Sequence, residues 1–97
     1  MLRQLVAKTP DDPFPRYGLA MELDKLGRGD EARTAFADLL ERHPGYVAAY
    51  LMYGNLLRKL GDTAQAAAIY ERGADAAQKA GNHHALGELQ SARAELP

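Results

Sequence analysis

The sequence offers few side chains that could build a nucleophilic or metal-binding site: one serine and three histidines, in a chain without cysteine. A serine nucleophile needs a positioned base, and no histidine lies one helical turn from Ser91. His83 and His84 are adjacent, so on a helix they point about 100° apart and do not chelate one ion as residues four apart can. His43 precedes Pro44 in a predicted turn. The spacing therefore predicts no catalytic site, no metal site and no cofactor.

A glycine-containing loop and several carboxylate pairs give the same answer. Residues 27–30, Gly-Arg-Gly-Asp, contain the glycines of a phosphate-binding loop but lack the GxxxxGK[ST] spacing and a preceding strand. We interpret them as a turn between helices. The pairs Glu22 with Asp24 and Glu88 with Glu95 fall on predicted exposed helix faces, where we expect them to serve as solubilising charge. We therefore expect a protein that is not an enzyme.

Composition narrows the partners and the compartment. The chain has 97 residues, with 12 Lys and Arg against 13 Asp and Glu, a net charge of −1. Nucleic acid is not an expected partner, because phosphate neutralisation demands a basic excess. The absence of cysteine excludes disulfides and fits a reducing cytoplasm. No apolar run approaches 18 residues and the first nine residues lack a signal-peptide core, so we expect a soluble, cytoplasmic protein with no membrane segment.

The elements that carry these residues are predicted to be helices arranged in a repeat. Alanine and leucine dominate, and the β-branched apolar residues are limited to Val6, Val47 and Ile69, which favours an all-α fold. A displacement of 34 residues superposes one half of the chain on the other. The matched positions are Leu23 with Leu57, Leu26-Gly27 with Leu60-Gly61, Ala32 with Ala66, Phe36 with Tyr70, Glu41 with Asp75, and Pro10 with Pro44. The repeat is internal.

Start and stop signals divide the first unit into two helices. Asp12 is predicted to cap a helix over residues 14–26, which Gly27 ends. Asp30 is predicted to cap a second helix that runs to about residue 42. The residues expected on the buried faces are Leu19, Ala20, Leu23, Leu26, Ala32, Ala35, Phe36, Leu39 and Leu40.

The second unit repeats this plan, and the chain ends with fragments of it. Helices are predicted over 47–60 and 63–80, and Asn82 is predicted to cap a last helix. That last helix carries an apolar stripe formed by Ala85, Leu86, Leu89, Ala92 and Leu96. Residues 1–9 resemble the end of a preceding second helix, through Leu2, Leu5 and Val6. The prediction is thus an all-α protein of about six helices.

The 34-residue unit resembles the tetratricopeptide repeat, a helix-turn-helix that stacks into a right-handed solenoid. The matching residues are the small Ala20, Gly54, Ala32 and Ala66, the turn glycines Gly27 and Gly61, the aromatic Phe36 and Tyr70, and Pro44. The first unit departs from the pattern at Arg16, where the second has Tyr50, and a further small position is Leu39 and Gly73. The chain is similar to small bacterial-type tetratricopeptide-repeat proteins.

The resemblance implies one domain over residues 1–97. We divide it into a half-repeat helix (1–12), a first repeat (13–46), a second repeat (47–80) and a C-terminal capping helix (81–97). Such domains are non-enzymatic adaptors or scaffolds that bind a peptide or a partner protein in a concave groove, lined by the first helix of each unit. Here the implied groove residues are Phe14, Tyr17, Met21, Lys25, Ala48, Leu51, Met52, Asn55, Arg58 and Lys59, and we call this set the groove.

The groove is predicted to have an apolar part and a basic end formed by Lys25, Arg58 and Lys59. A chaperone-type carboxylate clamp is not expected, because Tyr17 and Met21 replace its first lysine and asparagine, and Met52 replaces its next asparagine. Asn55 is placed to hydrogen-bond an extended peptide backbone. An alternative remains open, in which the apolar face is a homodimer interface, so that the protein is either a monomer or a weak homodimer.

Overall fold

The computed structural model describes residue 3 and residues 11–97, which form five α-helices and no strand. The helices are α1 (Pro13–Lys25), α2 (Gly29–Arg42), α3 (Val47–Lys59), α4 (Thr63–Lys79) and α5 (His83–Ala94). The all-α prediction is confirmed. The predicted half-repeat helix, with Leu2, Leu5 and Val6, lies outside the described residues except for Arg3, Asp11 and Asp12. No helix in the described residues is long and apolar enough to cross a membrane.

Two of the predicted helix caps are confirmed and one is wrong. The Asp12 carboxylate accepts a hydrogen bond from the Phe14 amide at 3.0 Å, and the Asn82 side chain accepts one from the Ala85 amide at 3.0 Å. Asp30, by contrast, does not cap α2. It lies in the first turn, and Arg28 occupies the capping position without a side-chain cap bond. A carboxylate in the first turn still interacts favourably with the positive end of the helix dipole, which accounts for an acidic residue there.

One turn geometry ends α1, α3 and α4. Gly27, Gly61 and Gly81 have φ of 75°, 85° and 70°, a left-handed conformation that favours glycine. After α1, the Gly27 amide donates to the Asp24 carbonyl at 3.0 Å, and the Arg28 amide donates to the Leu23 carbonyl at 2.9 Å. This pair of bonds is the Schellman motif, and it recurs after the other two helices. The predicted stop signals are thus confirmed.

The helices form two layers. Helices α1, α3 and α5 lie side by side, and their backbones approach each other in the order α1–α3–α5. The backbones of α2 and α4 stay apart, and Arg33 of α2 bridges the gap with a 2.7 Å ion pair to Asp62, at the start of α4. Because the first layer is the more closely spaced, the stack curves toward it. We call α1, α3 and α5 the inner layer.

The core follows the predicted repeat. Ala32 and Ala66 are fully buried where helices approach, and Phe36 and Tyr70 are fully buried beside them. Small and large side chains at alternating positions give the close packing of a protein interior. Leu89 and Leu96 of the C-terminal stripe are also buried, and the rest of that stripe packs partly against the core.

Leu26 is a correction to the predicted buried face, because its side chain is 61% exposed. Its counterpart Leu60 is 43% exposed and leans over Gly29, at the start of α2 in the preceding pair. Leu26 belongs to the first described pair, and within residues 11–97 no earlier pair exists to cover it.

Two glycines allow α3 and α4 to pack closely. A Cβ atom on Gly54 would lie 2.3 Å from Cε1 of Tyr70, and one on Gly73 would lie 2.4 Å from Cβ of Tyr50. Real Cβ atoms do not approach other atoms this closely, so both positions exclude any side chain in the present geometry. The Tyr70 ring therefore occupies the space that a side chain at Gly54 would need.

The repeat register predicts opposite effects of one substitution at neighbouring positions of α4. Ala66 is fully buried, whereas Ala64 is exposed. We expect Ala66→Leu to lower the free energy of unfolding by about 1 to 3 kcal/mol through overpacking, and Ala64→Leu to be near neutral. Denaturant titration of both variants measures the difference. Equal midpoints would show that the assigned register is wrong.

Candidate functional site

The structure places the ten groove residues on two neighbouring helices of the inner layer. Four of them are on α1 and six are on α3. All ten are exposed or half-buried, and none belongs to the buried core. The inner layer therefore presents these side chains where a partner molecule could contact them.

The apolar part of the groove carries a pair of aromatic side chains at one end. Phe14, in the first turn of α1, is 69% exposed, an unusual exposure for a large apolar side chain. Tyr17 is half-buried, and its ring centroid lies 5.2 Å from that of Tyr46. Burial raises the pKa of the Tyr17 hydroxyl, with a smaller contribution from Tyr46, so Tyr17 stays uncharged at neutral pH.

Three flexible or branched apolar side chains continue this surface. Met21 of α1, and Leu51 and Met52 of α3, are half-buried and pack their inner sides against the core. Methionine fills irregular spaces because its side chain is unbranched and polarizable. This part of the groove can therefore adapt to apolar side chains of more than one shape.

The predicted basic end of the groove is paired with carboxylates from the neighbouring helices. Lys59 Nζ lies 2.6 Å from Asp24 Oδ1 of α1, and Arg58 Nη1 lies 3.3 Å from Glu95 Oε2, just beyond α5. This end is thus close to neutral rather than cationic. Its partners lie 35 and 37 residues away along the chain, so no local sequence pattern indicated them. Exposed pairs of this kind contribute little to stability.

Asn55, in the middle of α3, is exposed on the inner layer and is held from behind. The Tyr70 hydroxyl of α4 donates a hydrogen bond to Asn55 Oδ1 at 2.5 Å. The amide NH₂ group of Asn55 is the remaining polar group of this side chain. The sequence analysis identified Asn55 but not its partner.

Helix α5 adds a surface that the sequence analysis did not assign to the site. A depression of about 610 Å³ lies between α3 and α5. Its lining includes Leu51, His84, Gly87, Glu88, Ser91 and Glu95. The α5 residues recur at three- and four-residue spacing opposite the buried Leu89. That spacing was a readable signal, because it defines a second face of the helix that was interpreted only as a cap.

The polar groups of this depression do not form a catalytic constellation. His84 Nε2 lies 3.3 Å from Glu88 Oε1, one turn along α5. Ser91 is seven residues from His84, about 10 Å along a helix axis, too far for a histidine to act as its base. Among the described residues, no group of three or more histidine, aspartate or glutamate side chains could hold a metal ion. The arrangement can act by contact and hydrogen bonding.

Comparison with known proteins gives a family and a fold. A family model described as tetratricopeptide repeat matches residues 17–82. The solution structure of a tetratricopeptide repeat domain protein from Salinibacter ruber is 37% identical, with 89% of this chain and 87% of that chain covered and a TM-score of 0.84. No curated protein matches the chain.

Two further structures share the fold. A protein of Bordetella parapertussis is 28% identical, with 95% of this chain and 80% of that chain covered and a TM-score of 0.80. The TPR2B domain of yeast Sti1, in complex with pHsp70, is 18% identical, with 95% and 74% covered and a TM-score of 0.88. At that identity the likeness to the Sti1 domain concerns the fold alone.

Proposed function

Because the chain belongs to the tetratricopeptide-repeat family, whose members are typically non-enzymatic interaction modules, we propose that it binds a peptide segment of a partner protein in the groove. In this proposal it acts as an adaptor or scaffold in the cytoplasm, without a cofactor, a metal ion or a nucleic acid. We also propose that residues 1–97 form one domain with the repeat boundaries given above.

The exposed aromatic end of the inner layer is the observation that supports this function best. Phe14 is 69% exposed, and Tyr17 presents part of its ring beside it. Aromatic side chains and methionine are enriched in the centres of protein interfaces, and the surface continues through Met21 and Leu51. A partner with two or three apolar side chains would remove this surface from water.

The remainder of the inner layer can orient such a partner. Asn55 offers hydrogen bonds to a peptide backbone, and the depression between α3 and α5 extends the surface beyond Leu51. The Sti1 domain, which shares the fold, was solved in complex with pHsp70, so a repeat domain of this kind can hold a partner. We propose an extended or helical peptide with apolar anchors as the occupant.

Removing the Tyr17 ring tests the proposal. The probe is the tightest peptide selected by the parent protein from a random 12-residue phage library. We expect Tyr17→Ala to weaken its binding by about 1 to 3 kcal/mol, because aromatic anchors dominate such interfaces. Isothermal titration calorimetry measures the change, and circular dichroism checks that the variant is folded.

Leu26→Ala is the matched control, because Leu26 is a large apolar side chain, 61% exposed, that lies outside the groove. It should leave the affinity for the selected peptide unchanged. If Tyr17→Ala binds the peptide as tightly as the parent, or if both variants lose affinity equally, the groove is not the binding surface.

A second copy of the chain is the alternative occupant of the same apolar surface. Sedimentation over micromolar to millimolar concentrations distinguishes the two. A mass that stays at 10.6 kDa favours the peptide groove. A mass that rises with concentration, and that Leu51→Glu returns to the monomer value, would show that the groove is a homodimer interface.

A further inference from the structure

Tyr70 reaches the peptide-binding surface from the outer layer. Its ring is fully buried between α4 and α3 and passes over Gly54, where a Cβ atom would lie 2.3 Å from the ring. Beyond this notch the hydroxyl meets Asn55, the next residue of α3, at 2.5 Å. A buried side chain from behind the groove thus contacts an exposed polar side chain within it.

The donor and acceptor roles in this contact follow from the chemistry of the two groups. Burial raises the pKa of the Tyr70 hydroxyl, with the nearby Arg58 guanidinium acting in the opposite direction. The hydroxyl therefore keeps its proton at neutral pH and donates it to the Asn55 amide oxygen. With the oxygen engaged toward the core, the NH₂ group is turned to the exposed side, and an NH₂ group only donates.

The first repeat provides an internal comparison. At the positions 34 residues earlier, Phe36 replaces Tyr70 and Met21 replaces Asn55, so both polar partners are missing together. Phe36 is also fully buried, which shows that this position packs without a hydroxyl. The hydroxyl of Tyr70 is therefore not needed to fill the core. The one side-chain acceptor that the structure gives it is Asn55.

We propose that Tyr70 is a positioning residue for peptide recognition: it holds the Asn55 side chain so that its NH₂ group donates to a backbone carbonyl of the bound peptide. This inference rests on the proposed function. It specifies the partner further, because the peptide must present a carbonyl oxygen opposite Asn55. An extended segment does so, whereas the interior of a helix uses its carbonyls in its own hydrogen bonds.

Two tyrosine variants test the role of the hydroxyl. Tyr70 and Tyr50 are both buried, and both donate to an acceptor, Tyr50 to the Pro44 carbonyl at 2.6 Å. Only the first bond involves a groove residue. With the selected 12-residue peptide as probe, we expect Tyr70→Phe to weaken binding about 2- to 10-fold and Tyr50→Phe to leave it unchanged, since a typical net hydrogen bond is of this size.

Asn55→Asp adds a readout that a purely structural role of Tyr70 would not change. The aspartate still accepts from Tyr70 but has no NH₂ group, and it places a negative charge opposite the peptide carbonyl. We expect about a 10-fold or greater loss of affinity. In the Asn55→Asp background, Tyr70→Phe should cause no further loss, because the donor that it positions is already gone.

The outcomes separate this inference from the proposed function. Equal effects of Tyr70→Phe and Tyr50→Phe, or an equal effect of Tyr70→Phe with and without Asn55→Asp, would overturn the positioning role while the groove still binds through Tyr17. If no peptide is selected, or if the selected peptide is insensitive to Tyr17→Ala, the proposed function fails and the positioning role fails with it.

Discussion

Replacing Gly73 with alanine will lower the free energy of unfolding by about 3 kcal/mol, the upper end of the range for overpacked cores. The new Cβ would lie 2.4 Å from Cβ of Tyr50 and 2.9 Å from a methyl carbon of Leu89. The Tyr50 Cβ is fixed to the backbone of α3, so a side-chain rotation cannot relieve the contact and the helices must separate. Chemical denaturation followed by circular dichroism measures the loss.

Gly87→Ala in α5 is the matched control, because a Cβ there would meet no atom within 4 Å. Alanine is the better helix former, so this variant should be more stable than the parent by about 0.5 to 1 kcal/mol. The two glycine substitutions are therefore expected to have opposite signs. A Gly73→Ala variant as stable as the parent would mean that α3 and α4 are not packed as closely as described.

Phe36→Ala is expected to cost about 3 to 5 kcal/mol. Phe36 is fully buried, and its ring stacks on Tyr53 of α3 with 5.6 Å between centroids and 13° between planes. Its removal leaves a cavity at the contact between the two repeats. A domain of this length typically has a stability of about 5 to 15 kcal/mol, so the variant loses a large part of it and its thermal midpoint falls accordingly.

The control for this loss is Phe14→Ala, which removes the same side chain from a position that is 69% exposed. Its free energy of unfolding should stay within about 0.5 kcal/mol of the parent value. If the two variants lost equal stability, the division between core and groove would be wrong. Phe14→Ala is also useful for binding studies, since it alters the groove while the fold is retained.

The fold could be predicted because each packing requirement recurs at a fixed spacing. Close helix crossings need a small residue at Ala32 and again at Ala66, and the left-handed turn conformation needs glycine at Gly27 and again at Gly61. A chance match would not satisfy steric demands of such different kinds in both units. The helix ends were therefore predicted to within about a residue, apart from the capping residue of α2.

The candidate site could be predicted only as far as helix faces allow. Periodicity showed which residues share the exposed face of α1 or α3, but it carries no information about contacts between repeats. The ion pair of Lys59 with Asp24 and the bond from Tyr70 to Asn55 depend on how α1, α3 and α4 pack in three dimensions. Charges that were predicted to act on a ligand are for this reason engaged with the protein itself.

The layered arrangement also makes a bound partner part of the mechanics of the molecule. Helices α3, α4 and α5 pack more extensively with one another than α2 does with α3. The lowest-energy partial opening should therefore separate the α1–α2 hairpin from the rest, as one cooperative unit. A peptide that contacts Tyr17 and Leu51 at once spans this hinge and would fix the curvature of the stack. Amide hydrogens of α1 and α2 would then exchange more slowly, far from any atom that the peptide touches.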